Sequence, residues 1–211
     1  MLALAILLVF VSSSAAEIVD RIAVSVGNQV ITGSEILEEI RVSAFLSHEA
    51  PDFSVEQKRK AAERLIEQTL IRRDMEFSHY PAPEAAEADK VEQQIRGAYP
   101  SVAEFNRELA KNQIGEDDLR RHLLWQLTLL RFLEYRFKPS VQVPEADIKQ
   151  YYERKLGEWR QQGIEETPSL DESRADIEKI LIQERVDQAV DRWLGDARTQ
   201  VAILYRKEAF R

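Results

Sequence analysis

Only two stretches of this 211-residue chain alternate as β-strands do, and they lie near its opposite ends. In Glu17–Thr32, the residues Ile22, Val24 and Val26 alternate with Ala23 and Ser25. Gly27-Asn28 then offers a tight turn, and Gln29-Val30-Ile31-Thr32 returns. Period-two alternation on both sides of a Gly-containing pair is a hairpin signal. A hairpin alone is marginal in water and needs a third strand or a helix against it. Gln200–Arg206 supplies the candidate, because Val201, Ile203 and Tyr205 alternate there with Ala202 and Leu204. The pattern predicts that the two ends of the chain meet in one small antiparallel sheet.

What lies between reads as helix. Ser34 opens a helix carrying Ile36, Leu37, Ile40 and Ala44. Ser54-Val55-Glu56-Gln57 has the form of a capping box, in which the first and fourth side chains satisfy free N–H groups at a helix start. Its helix carries Ala62, Leu65, Ile66, Thr69 and Leu70 on one side, and Tyr80-Pro81-Ala82-Pro83 breaks it. Ala88, Val91, Ile95 and Ala98 mark a third helix. A second capping box, Ser101-Val102-Ala103-Glu104, leads a fourth with Val102, Phe105 and Leu109, which Gly115 is expected to stop.

The helix over about Glu116–Phe137 differs from the others. Leu123, Leu124, Trp125, Leu127, Leu129, Leu130, Phe132, Leu133, Tyr135 and Phe137 point in nearly every direction around it. A helix apolar on all sides is covered by neighbours or by a ligand. Pro139 ends it, and Val141-Gln142-Val143-Pro144 is an extended connector. Ile148, Tyr151, Tyr152, Leu156 and Trp159 follow at helical spacing, and Arg160–Pro168 reads as a polar loop. A third capping box, Ser169-Leu170-Asp171-Glu172, starts a long last helix with Ile177, Leu181, Val190, Trp193, Leu194 and Ala197. The expected fold class is mostly α, with the small sheet at one end.

Charge and composition exclude several function classes. The formal charge is −8, which disfavours nucleic acid because phosphates repel carboxylates. The short basic runs Lys58-Arg59-Lys60 and Arg120-Arg121 are flanked by acids and read as solvated helix faces. No cysteine is present, so there is no disulfide framework, thiolate metal site, catalytic thiol or lipid-modified Cys. His48, His79 and His122 are far apart and lack the clustering that a zinc or iron site needs. The seven glycines are isolated, which leaves no phosphate loop, and no Gly-x-Ser-x-Gly turn exposes a nucleophile. Asp117-Asp118 and Glu165-Glu166 read as helix-start and loop charges, not as an acid/base pair in an apolar pocket. Neither cofactor nor enzymatic activity is expected.

Met1–Val11 is almost wholly apolar, and Ser12-Ser13-Ser14-Ala15-Ala16 puts small residues before Glu17. That is the shape of a secretory signal peptide over 1–16, cleaved near Ala16/Glu17, although no Lys or Arg precedes the apolar run. The run is shorter than the roughly 20 residues that span a bilayer. The expectation is an exported chain without a stable membrane anchor, with 17–211 forming one domain.

Several pieces of the chain together resemble SurA-type periplasmic chaperones. Val19-Asp20-Arg21-Ile22-Ala23-Val24-Ser25-Val26-Gly27 is similar to that family's first hairpin. Phe105-Asn106-Arg107-Glu108-Leu109, Ile114-Gly115, Leu119-Arg120-Arg121 and Gln126-Leu127 resemble its N-terminal domain. Val141–Ile148 with Tyr151-Tyr152 resembles the exit from that domain. The likeness covers nearly the whole expected mature chain. In the family a parvulin prolyl-isomerase domain follows the Tyr-Tyr helix, whereas here only a short loop around 157–169 stands in that place.

The resemblance implies a helical chaperone core without its isomerase. Such a core binds unfolded, outer-membrane-type polypeptides on apolar grooves, without ATP and in the periplasm. Trp125, Phe132, Tyr135, Tyr151, Tyr152 and Trp159 are the candidate peptide-binding residues. The partners implied are unfolded or partly folded exported chains. Because the core is built on returning terminal elements, exchange of those elements would give a homodimer. Two other readings use the same features: a prolyl-isomerase-family protein with a residual or partner-dependent role, and an adaptor subunit that docks one folded partner.

Overall fold

A computed structural model describes residues 20–81 and 83–211. The expected leader and the first residues of the Glu17–Thr32 region lie outside the described residues. Strands β1 (Ile22–Val26) and β2 (Gln29–Thr32) form the hairpin, pairing Val24 with Ile31, Ser25 with Val30 and Val26 with Gln29. Gly27 turns between them at φ +60°, a region that a side chain disfavours, and its N–H donates to the Ala202 carbonyl at 2.9 Å. Strand β3 (Ile203–Tyr205) lies on the other side of β1, with Val24 opposite Tyr205 and Val26 opposite Ile203. The order β2-β1-β3 joins the two ends of the described chain in one antiparallel sheet, as the alternation predicts.

Seven α-helices are present among the described residues: α1 (Gly33–Leu46), α2 (Val55–Ser78), α3 (Ala85–Gly97), α4 (Val102–Lys111), α5 (Glu116–Phe137), α6 (Glu145–Gln161) and α7 (Leu170–Thr199). None is long and apolar enough to cross a membrane. Their start signals are used unequally. Ser169 and Glu172 form the complete reciprocal box expected of them. Ser54 and Ser101 each accept from the backbone three residues on, but the return arm is missing. The Ser54 N–H donates to Asp52 instead, and the Glu104 carboxylate is held by Arg107.

Two boundaries differ from the sequence reading. The cap of α1 is Thr32, which exchanges hydrogen bonds with Glu35, while the Ser34 hydroxyl donates to Asp20. Gly115 does not stop α4. That helix closes at Asn112 and Gln113, where Gln113 takes φ +56° and Ile114 N–H returns to the Leu109 carbonyl at 3.0 Å. This is the left-handed closure that leaves fewer carbonyls orphaned. Gly115 instead caps α5, donating to Asp118 at 3.1 Å.

The expected loop also shortens. Helix α6 continues through Gly157 and Trp159 to Gln161, leaving 162–169 as the connector. Gly157 has open space where a Cβ would stand, so it is tolerated inside the helix at a cost of about 1 kcal/mol against Ala.

Burial divides into three clusters. The first packs the inner face of the sheet (Val24, Val26, Ile31) on α1 and α2 through Ile36, Ile40, Ala62 and Ile66, closed by Phe210. The second joins the end of α1 (Val42, Phe45) to α3, α4 and the first half of α5. The third is small, Ile148 with Ile177 and Leu181, and holds α6 on α7. Helix α7 reaches back from it, placing Trp193, Leu194 and Ala197 against the first cluster.

Candidate binding cleft

Between the first two clusters, α1, α2 and α5 diverge and leave an open cleft of about 770 Å³. Leu65, Gln68, Arg72, Met75 and Glu76 recur at spacings of three and four residues, so α2 presents them along one side, and His79, the left-handed cap just past its end, adds to the lining. This stripe runs beside the apolar face made by Ala62, Ile66 and Leu70, which is turned to the core. Helix α5 supplies Arg121, His122, Leu124, Trp125 and Thr128 by the same geometry, and α1 contributes Glu35, Glu38 and Glu39.

The deep polar groups are tied together. Glu39 is 6% exposed, accepts from Arg64 Nε at 2.8 Å and from the Ser43 hydroxyl at 3.3 Å, and lies 3.7 Å from His122 Nδ1. The other ring nitrogen of His122 is 2.9 Å from the Gln126 amide. Burial holds the His122 pKa below the ordinary histidine value. Arg64 acts in the same direction, and the Glu39 carboxylate only partly opposes them. The imidazole is therefore neutral at pH 7. Glu38 is pushed up by its own burial and by Asp118, against the pull of Arg121.

Above this network the walls are softer. The guanidinium of Arg72 lies over the Trp125 ring, 4.1 Å from its centroid. Leu65, Met75 and Leu124 flank them. The site sets an apolar wall of Leu65, Met75, Leu124 and Trp125 against a charged lining of Glu35, Glu38, Glu39, Glu76, Arg72 and Arg121.

The six candidate residues do not share one groove. Trp125 lines the cleft. Phe132 is completely buried, edge-on to Tyr80 at 5.3 Å, and is a core ring that no client reaches. Tyr135, 66% exposed, leans on the other side of Tyr80 at 5.3 Å. Tyr151, Tyr152 and Trp159 are half-buried on α6, in the arm that α6 forms with α7. Tyr152 and Trp159 meet edge to face at 6.4 Å, the Tyr152 hydroxyl donates to the Pro168 carbonyl at 2.7 Å, and Arg154 covers Tyr151.

Sequence reasoning missed Leu65, Arg72, Met75 and His122 as cleft residues. The signal was the second stripe on α2, and Met75 is the only methionine after Met1. Among the described residues no group of three or more His, Cys, Asp or Glu side chains is arranged to hold a metal ion. Comparison with protein-family models and with curated proteins finds no match to this chain.

Proposed function

We propose that the protein is an ATP-independent periplasmic holding chaperone that captures apolar segments of unfolded exported polypeptides, outer-membrane proteins among them. The cleft between α1, α2 and α5 carries this reading: it is open, about 770 Å³ in volume, and walled by Trp125, Leu65, Met75 and Leu124. The likeness of Val19–Gly27, Phe105–Leu127 and Val141–Tyr152 to SurA-type chaperones supports the same assignment. So do Tyr135, exposed on α5, and the half-buried rings of α6.

The energetics suit capture and release. Two seated aliphatic or aromatic side chains contribute about 3–6 kcal/mol. The loss of translational and rotational freedom on association is of similar size. Binding through one cleft is therefore weak and quickly reversed, and tolerant of sequence. Barrel-forming strands, with an outward apolar residue at every second position, would offer many such segments while unfolded.

The test is light scattering from a diluted, urea-unfolded outer-membrane protein with this chain in excess and no nucleotide. Aggregation should be delayed, and Trp125→Ala should shorten the delay while leaving the fold intact by circular dichroism. A chain that delays no client, yet binds one folded partner stoichiometrically, would be an adaptor instead.

A further inference from the structure

Four glutamates and two arginines line the cleft beside its apolar wall. Some of these charges are already matched. Glu39 pairs with Arg64 at 2.8 Å, while Arg121 is held by Asp118 on its own helix and reaches Glu38 only at 3.5 Å. His122 is neutral at pH 7 and offsets nothing. Glu35, Glu38 and Glu76 remain around the single guanidinium of Arg72, which is stacked on Trp125 and on whose charge Glu35 and Glu76 both bear. Glu76 is exposed, and its carboxylate has no hydrogen-bond or ion-pair partner among the described residues. Burial and then Asp118 push the Glu38 pKa up in spite of Arg121, so its charge is not fully compensated. The cleft therefore carries an excess of negative charge.

Resting on the chaperone reading, we infer that the cleft selects segments of unfolded chains in which a lysine or arginine adjoins a large apolar residue. The apolar side chain is taken by Leu65, Met75 and Leu124, and the base is drawn to the surplus glutamates. A wholly apolar segment seated here would strip water from Glu38 and Glu76 without supplying a donor, which costs free energy. A basic side chain supplies that donor. Its methylene stem can lie along the aliphatic wall while the charged head stays hydrated. An acidic segment meets like charge, the arrangement that suppresses wrong partners.

The probe is a fluorescent hexapeptide of apolar residues, blocked at both ends to remove its terminal charges and followed by anisotropy on the full chain. Three forms are compared, with Lys, Gln or Glu beside an internal phenylalanine. At low salt the Lys form should bind about threefold to tenfold more tightly than the Gln form, the range of one or two partly exposed ion pairs, and the Glu form should bind least. The order should flatten at about 1 M salt, where the screening length falls to about 3 Å. Glu76→Gln, at an exposed side chain, should shrink the advantage of Lys over Gln, and adding Glu38→Gln should shrink it further. Asp176→Asn removes the same unit of charge from the exposed surface of the α6–α7 arm and should leave that advantage in place.

Equal binding of the Lys and Gln forms to the native protein would overturn the inference while leaving the chaperone reading intact, and so would a Glu form that binds as well as the Lys form. If Asp176→Asn erases the difference as far as Glu76→Gln does, the net charge of the protein attracts the base and the cleft assignment falls. If no peptide binds but aggregation of unfolded clients is still delayed, the inference fails alone. If neither is seen, both fail. The comparison of Lys with Gln on the native chain needs no variant, so it stands even if the double variant folds poorly.

Discussion

Phe210 is the sharpest test of how the chain is closed. Its ring is 4% exposed and packs in the cluster that holds the sheet on α1 and α2, with Tyr205 at 6.4 Å between ring centroids. It follows β3, whose backbone is stitched to β1 by the register of Val24 with Tyr205 and by the Arg206 N–H on the Ala23 carbonyl at 2.8 Å. Phe210→Ala leaves a cavity that these neighbours do not collapse to fill, at a cost of about 3–5 kcal/mol. For a chain of this size each kcal/mol lowers the melting temperature by roughly 2–4 °C, so the midpoint should fall by roughly 6–20 °C. The readout is the helical circular dichroism signal, because α7 links the sheet cluster to the α6–α7 arm and the loss should spread beyond the sheet. Leu204→Ala, at a side chain 57% exposed on the outer face of the same strand, should change stability by less than about 0.5 kcal/mol. A midpoint for Phe210→Ala within about 2 °C of native, less than 1 kcal/mol would produce, would refute the claim that this end closes the core. Deleting Gln200–Arg211 should do more damage still.

Two pH dependences follow. Tyr205 has its pKa pushed up to about 12 by burial and by its 2.6 Å hydrogen bond to Glu63. Its contribution is therefore present below pH 10, the unfolded value, and is lost as pH rises through about 12. In Tyr205→Phe, the stability difference from native should shrink above pH 10, and a difference that stays constant in urea melts up to pH 11 would contradict the assigned bond. His122 has the opposite sign: its folded pKa lies below the ordinary 6.5, so its contribution is complete above 6.5 and is lost as pH falls through the folded value. His122→Gln should flatten the loss of stability between pH 7.5 and 5.5, whereas parallel slopes for the two proteins would remove His122 from the account.

The sheet was legible because its signals are local and redundant: a Gly-Asn turn, two alternating flanks and a distant strand with the same period. Helix starts were legible only in part, since a Ser with a Glu or Gln three residues on says nothing about competing partners. Asp52 captured the Ser54 N–H and Arg107 captured Glu104. On α5 the apolar residues look alike in sequence, yet Phe132 is sealed and Leu130 is 63% exposed. Tyr80, on the connector between α2 and α3, packs edge-on against Phe132, a contact that the pattern on α5 alone does not reveal. The cleft was hidden for a related reason. The stripe Leu65, Gln68, Arg72, Met75 mixes polar and apolar residues, and only its neighbours across the gap make it a wall.

The central position of β1 has a consequence for how the chain is made. One edge of β1 meets β2 at once, across a two-residue turn. The other waits for β3, roughly 180 residues later in the chain, and stays open until that last strand arrives. During that interval Val24 and Val26 present an unpaired strand margin to any extended chain nearby. A molecule read here as a guardian of unfolded polypeptides would thus pass through a period in which it needs guarding itself.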